Sequence, residues 1–151
     1  MKRCSGFLAL LIEFLFVLPG PAAGPARLPH EAAVFGVAFT PDGRTLLTAG
    51  QEGLIRVWDV ATRREVRRWR GHEGGVLALA LSGDGKTLAT AGRDSAVRLW
   101  DVASGKEKLK LTGMRGDVEG LTLSRDGRVM AASGSGRKGA FRTPRDRNVF
   151  G

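Results

Sequence analysis

Between Val34 and Leu111 the chain runs as short apolar segments broken by polar turns. Phe35, Val37 and Phe39 alternate with small residues, and so do Leu77, Leu79 and Leu81. Alternation with period two predicts strands with one bulky apolar face. The opposite face is apolar but small (Gly36 and Ala38; Ala78 and Ala80), which predicts a strand buried on both sides. Pro41-Asp42-Gly43 then predicts a tight hairpin turn, because Pro presets φ, Asp bonds the local backbone and Gly tolerates positive φ. Second strands follow over residues 45–49 and 87–91. Third strands lie over 55–59 and 97–101, each with an arginine between two β-branched or leucine residues. Fourth strands are expected over 65–69 and 107–111. In Lys108-Leu109-Lys110-Leu111 the leucines point inward and the lysines outward, as in an outer strand guarded by charge.

The pattern repeats every 42 residues without a gap. His30 returns as His72, and Trp58-Asp59 as Trp100-Asp101. The turn Asp42-Gly43 returns as Asp84-Gly85 and again as Asp126-Gly127. Gly50, Gly92 and Gly134 keep the same step, as do Val34, Val76 and Val118. Four strands in such a period, with Gly-His near one end and Trp-Asp near the other, form a repeat signature. On Gly71-His72, Leu88-Ala89-Thr90-Ala91-Gly92-Arg93-Asp94 and Val97-Arg98-Leu99-Trp100-Asp101 the chain resembles the WD-repeat β-propeller family.

The resemblance implies an all-β fold, a partial propeller of about two and a half four-stranded blades over residues 30–135. The blades are expected over 30–70, 71–112 and, in part, 113–135. A closed ring takes about 4–8 blades, so the expected completion is further blades of another chain or assembly of this chain with itself.

His72, Thr90, Asp94 and Trp100 hold the parts of a nucleophilic triad, a hydroxyl, an imidazole and a carboxylate. The family resemblance assigns them another role, a hydrogen-bonded tetrad that ties strands together within a blade. Buried, these groups must satisfy one another, and nothing in the sequence supplies an oxyanion hole. His30, Thr48, Glu52 and Trp58 stand at the matching positions of the first repeat, with Glu52 in place of aspartate and Pro29 in place of glycine. The third repeat has Met114, Ala132, Gly136 and Arg142 there, so no third tetrad is expected.

Composition narrows the function. There are 24 Lys+Arg against 15 Asp+Glu, a formal charge of +9. The single cysteine, Cys4, excludes an intrachain disulfide. His30 and His72 are the only histidines, and no carboxylates cluster, so neither a metal nor another cofactor is expected. Gly134-Ser135-Gly136-Arg137-Lys138-Gly139 fits G-x-G-x-x-G in letters alone, because a dinucleotide site needs the loop between a strand and a helix. The basic stretch Arg63–Arg70, with Trp69 inside it, falls on an outer strand, where charge prevents sheet-to-sheet association. That placement weighs against nucleic acid as a partner.

Lys2 and Arg3, the apolar run Phe7–Leu18 and the small residues after Pro19 read as a secretory signal over residues 1–24, despite Glu13 within the run. Cleavage after Ala22 or Ala23 and export to the periplasm or the exterior are expected. The run is short for a membrane span. Residues 25–29 read as a linker and 136–151 as a basic irregular tail, with truncation or a shifted reading frame as one origin of that tail. The expected function is a non-enzymatic scaffold for a protein or peptide, with Glu31, Gln51, Glu73 and Arg93 as contact residues. An accessory module split from a larger exported enzyme, or a nonfunctional remnant, is the alternative.

Overall fold

The computed structural model describes residues 15–16, 26–112, 117–134 and 140–142, with side chains over 28–112 and 117–134. Among them every regular element is a strand. A two-stranded ribbon, β1 (Leu15–Phe16) and β2 (Ala26–Arg27), precedes the blades. Blade one orders β3 (Val34–Phe39), β4 (Thr45–Gly50), β5 (Leu54–Asp59) and β6 (Arg64–Arg70) in one antiparallel sheet. Blade two repeats this with β7 (Val76–Leu81), β8 (Thr87–Gly92), β9 (Val97–Asp101) and β10 (Glu107–Leu111). Blade three has β11 (Val118–Leu123), β12 (Met130–Gly134) and β13 (Ala140–Arg142).

The period is visible in local bonds. Thr40, Ser82 and Ser124 each donate a hydroxyl to the aspartate two residues on, at 2.6, 2.6 and 2.7 Å. The same carboxylates accept the backbone N–H of Arg44, Lys86 and Arg128, which closes each first hairpin. Gly43, Gly85 and Gly127 take φ of 68, 72 and 68°, the left-handed conformation that this turn requires. The outer strands also bulge at one repeat position, next to Val66 in β6 and Lys108 in β10.

Blades stack ridge into groove. Cross-strand register puts Gly36, Ala49, Ile55 and Trp69 in one row of blade one, and Ala38, Leu47, Val57 and Arg67 in the next. Leu79 and Leu81 of β7 press on this face, forming a core with Leu47, Ile55, Val57, Leu88 and Trp100. A Cβ at Gly36 would stand 2.8 Å from that of Leu79, so the glycine sets how closely the sheets approach. Leu121 and Leu123 of blade three press likewise on Ala78, Ala89 and Ala91 of blade two. Each fully buried leucine or valine contributes about 1.5–3 kcal/mol relative to exposure.

Four expectations change. The bulky face of β3 is not buried: Phe35, Val37 and Phe39 are 46%, 37% and 41% exposed, because no sheet of the described residues packs there as blade one packs on β7. Residues 25–29 are more than a linker, since β2 lies in them and Leu28 is buried with Leu46, Trp58 and Val60. Leu28 thereby does for blade one what Trp69 does for Leu88, Trp100 and Val102 of blade two. The third repeat does not stop at residue 135: Ala131 pairs with Phe141, so a short third strand forms within the stretch read as an irregular tail. The basic outer strand is not wholly solvated either, for Arg67 reaches across to the carbonyls of Val102 and Ala103 in blade two. Of the proposed signal segment, only residues 15 and 16 are described.

Candidate functional site

In blade two the four polar residues meet as one chain of hydrogen bonds. Trp100 Nε1 donates to Thr90 Oγ1 at 2.8 Å. Thr90 Oγ1 lies 2.8 Å from His72 Nε2, and His72 Nδ1 lies 2.7 Å from Asp94 Oδ1. With one neutral tautomer every group is satisfied: Thr90 donates to Nε2, and Nδ1–H donates to the carboxylate. β8 supplies Thr90, β9 supplies Trp100, and the segments before β7 and after β8 supply His72 and Asp94, so the chain pins three strands in register. Gly92 recurs for a steric reason, since a Cβ there would overlap the His72 ring.

Electrostatics fit this reading. Burial lowers the His72 pKa from its usual 6.5, and the Asp94 hydrogen bond offsets only part of that. For Asp94, burial pushes the carboxyl up, but hydrogen bonds from His72 and Arg98 outweigh it and hold the group below its usual range. Thr90 is wholly buried, its proton engaged by His72 and a lone pair by Trp100.

The network extends further than the tetrad. Arg98 donates to Asp94 Oδ2 at 2.9 Å and to Glu107 Oε2 at 2.8 Å, joining the loop acid to outer strand β10. One period earlier Arg56 joins Glu52 to Glu65 of β6. The arginine between apolar residues is legible in each repeat, whereas its two acids emerge from the geometry. The signal was present, because Glu65 and Glu107 are themselves 42 residues apart, as are Arg56 and Arg98.

Blade one departs at the longer acid. His30 Nε2 lies 3.1 Å from Thr48 Oγ1, and Trp58 Nε1 donates to the same hydroxyl at 2.9 Å. Glu52, however, turns to the Glu31 backbone N–H at 3.0 Å and to Arg56, rather than to the imidazole. His30 stays half-buried with its ring 5.4 Å from Trp58, beside a cavity of about 10 Å³ lined by Gln51, Glu52 and Arg56. That is room for about one water. In blade three Ala132 is buried among apolar neighbours and offers no hydroxyl; Met114 and Gly136 lie outside the described residues.

Glu31, Gln51, Glu73 and Arg93 are all exposed. They flank the starts of β3 and β7 and the ends of β4 and β8, and antiparallel pairing brings those to one end of each sheet. The Arg93 N–H bonds the Gly75 carbonyl at 3.1 Å. A Cβ at Gly75 would come 3.4 Å from Gln51 Cα, so the two blades meet at this end. Among the described residues no three His, Cys, Asp or Glu side chains are grouped to hold a metal ion, and no helix is long and apolar enough to cross a membrane.

Comparison with known proteins agrees with this geometry. The family model "WD domain, G-beta repeat" matches residues 26–59 and 63–101. The solved structure titled "Crystal structure of RRP9 WD40 repeats" is similar at a TM-score of 0.73 and 26% identity, over 77% of this chain and 37% of that one. "Structure of U3-55K" is similar at 0.73 and 25%, with the same coverages of 77% and 37%. The chain thus spans little more than a third of either solved structure. With two blades of one period, each joining histidine, threonine and tryptophan at the same repeat positions and each matched by the family model, this chain belongs to the WD40-repeat family.

Proposed function

We propose that the chain is a non-enzymatic interaction module whose loop end binds a protein or peptide. The observation that carries this reading is a division of labour. The hydroxyl and imidazole of blade two are consumed in buried hydrogen bonds, while Glu31, Gln51, Glu73 and Arg93 stand exposed at one end across the seam between blades. Two acids, one amide and one guanidinium offer a mixed polar surface, which suits a polypeptide better than a uniform polyanion. A photo-crosslinking residue at Gln51 or Arg93 should capture one discrete protein, and Arg93→Glu should abolish the capture. The same probe at Arg64 on the outer strand should not capture it. Equal labelling from both places would contradict the loop end as the binding surface.

Export is the proposed setting, supported by Lys2, Arg3 and the apolar run that follows. Cleavage after Ala22 or Ala23 would remove β1 but keep Leu28 against Trp58. Mass spectrometry of the mature N-terminus tests this, and intact Met1 found only in the cytosol would refute it.

A further inference from the structure

We infer that Asp42, Asp84 and Asp126 are modification sites, at which the opened chain rearranges to isoaspartate, and that the hydroxyls of Thr40, Ser82 and Ser124 hold this reaction back in the folded chain. Each aspartate precedes a glycine, whose backbone nitrogen has no side chain beside it to shield it. In such a step the glycine nitrogen attacks the aspartate Cγ. A C–N bond forms, the C–O bond of the protonated carboxyl breaks, and its hydroxyl leaves with the nitrogen's proton as water. A second water then opens the cyclic imide at either carbonyl. One opening restores aspartate, and the other leaves the main chain running through the side-chain carboxyl, longer by a methylene.

The fold ties down both reacting groups. Gly43 donates its N–H to the Thr40 carbonyl at 2.8 Å, Gly85 to that of Ser82 at 2.8 Å and Gly127 to that of Ser124 at 2.9 Å. Oδ1 of each aspartate accepts the hydroxyl on one side and, at 2.9–3.1 Å, the N–H of the residue two positions on. Those bonds, the hydroxyl's first, hold all three carboxyls below their usual range. The reaction needs the protonated carboxyl, because an ionised one has no hydroxyl to lose. All three aspartates are exposed, so the hydrogen bonds and not burial restrain them. These turns lie at the opposite end of each sheet from Gln51 and Arg93, and the inference does not rest on the loop-end reading.

Peptide mapping of the full chain after incubation at neutral pH tests it, with fragmentation mass spectrometry telling isoaspartate from aspartate. Each of the three steps should rearrange in urea, and in buffer each should be slower by about tenfold or more, the rate equivalent of one charge-assisted hydrogen bond. Thr40→Val should speed the rearrangement at Asp42 and leave Asp84 and Asp126 unchanged. Thr40→Ser, which keeps the hydroxyl, should leave all three at the folded rate. Ser124→Ala repeats the comparison at Asp126, with circular dichroism showing that each variant retains its sheet. Equal rates in urea and buffer, no acceleration at the variant's own site, or an acceleration that spreads to all three sites would overturn the inference.

Discussion

His72 Nδ1 and Asp94 Oδ1 lie 2.7 Å apart in blade two, while His30 of blade one bonds only Thr48 and Glu52 turns away from it. The two histidines are therefore worth different amounts. His72→Ala leaves buried Thr90 without an acceptor and takes a donor from Asp94, which should cost about 1–3 kcal/mol per orphaned group. His30→Ala removes one half-buried bond and should cost about 0.5–1.5 kcal/mol. Urea unfolding of the two variants checks the order, and equal losses would be inconsistent with the geometry.

Both histidines have pKa values lowered by burial, so the unfolded chain takes up protons at a higher pH than the folded one. Stability from this source is fully present above the unfolded value of 6.5 and is lost as pH falls below it toward the folded values. Asp94, held below its usual 3.8, adds a second loss in the same direction at lower pH. Melting temperature should be flat from neutral pH upward and fall on acidification from about pH 6.5. A His30→Asn/His72→Asn double variant should lose the upper part of that slope.

Arg67 binds the blades to each other. Its guanidinium stacks 5.4 Å over the Trp69 ring and donates to the carbonyls of Val102 and Ala103. A charged donor to a carbonyl contributes about 1.5–3 kcal/mol, so Arg67→Ala should cost about that much. Arg67→Lys should rescue less than half, since an ammonium cannot fork to two carbonyls while stacking on the indole. Thermal unfolding of the pair of variants separates the fork from the charge.

The architecture was legible because one period governs everything at once: alternation, turns, the Trp-Asp pair and the recurring glycines. Gly50 and Gly134 recur because a Cβ would overlap the backbone carbonyls of Ala33 and Asp117, which stand at one repeat position, and Gly92 because a Cβ would overlap the His72 ring. What the sequence hid were contacts between periods. Arg67 looked like one more charge on a guarded edge, because nothing in its own strand reveals a carbonyl pair in the next blade. Leu28 sat in a proline-rich stretch that read as a linker, and only the packing of Trp58 shows that it replaces a neighbour's tryptophan. Backbone strain was equally invisible. Arg63 takes φ of 59° where blade two has Gly105 at 69°, an exchange that nothing in the residue types announces.

We propose that the hydroxyl, imidazole and carboxylate hold strands rather than perform chemistry. Thr90→Val tests it most directly, because it keeps the side-chain shape and removes only the oxygen shared by Trp100 and His72. Equilibrium urea unfolding should show a loss of about 1–3 kcal/mol for the buried donor and acceptor left unpaired. An unchanged midpoint would contradict the account, and an unchanged midpoint together with loss of a measurable turnover would make Thr90 a nucleophile instead.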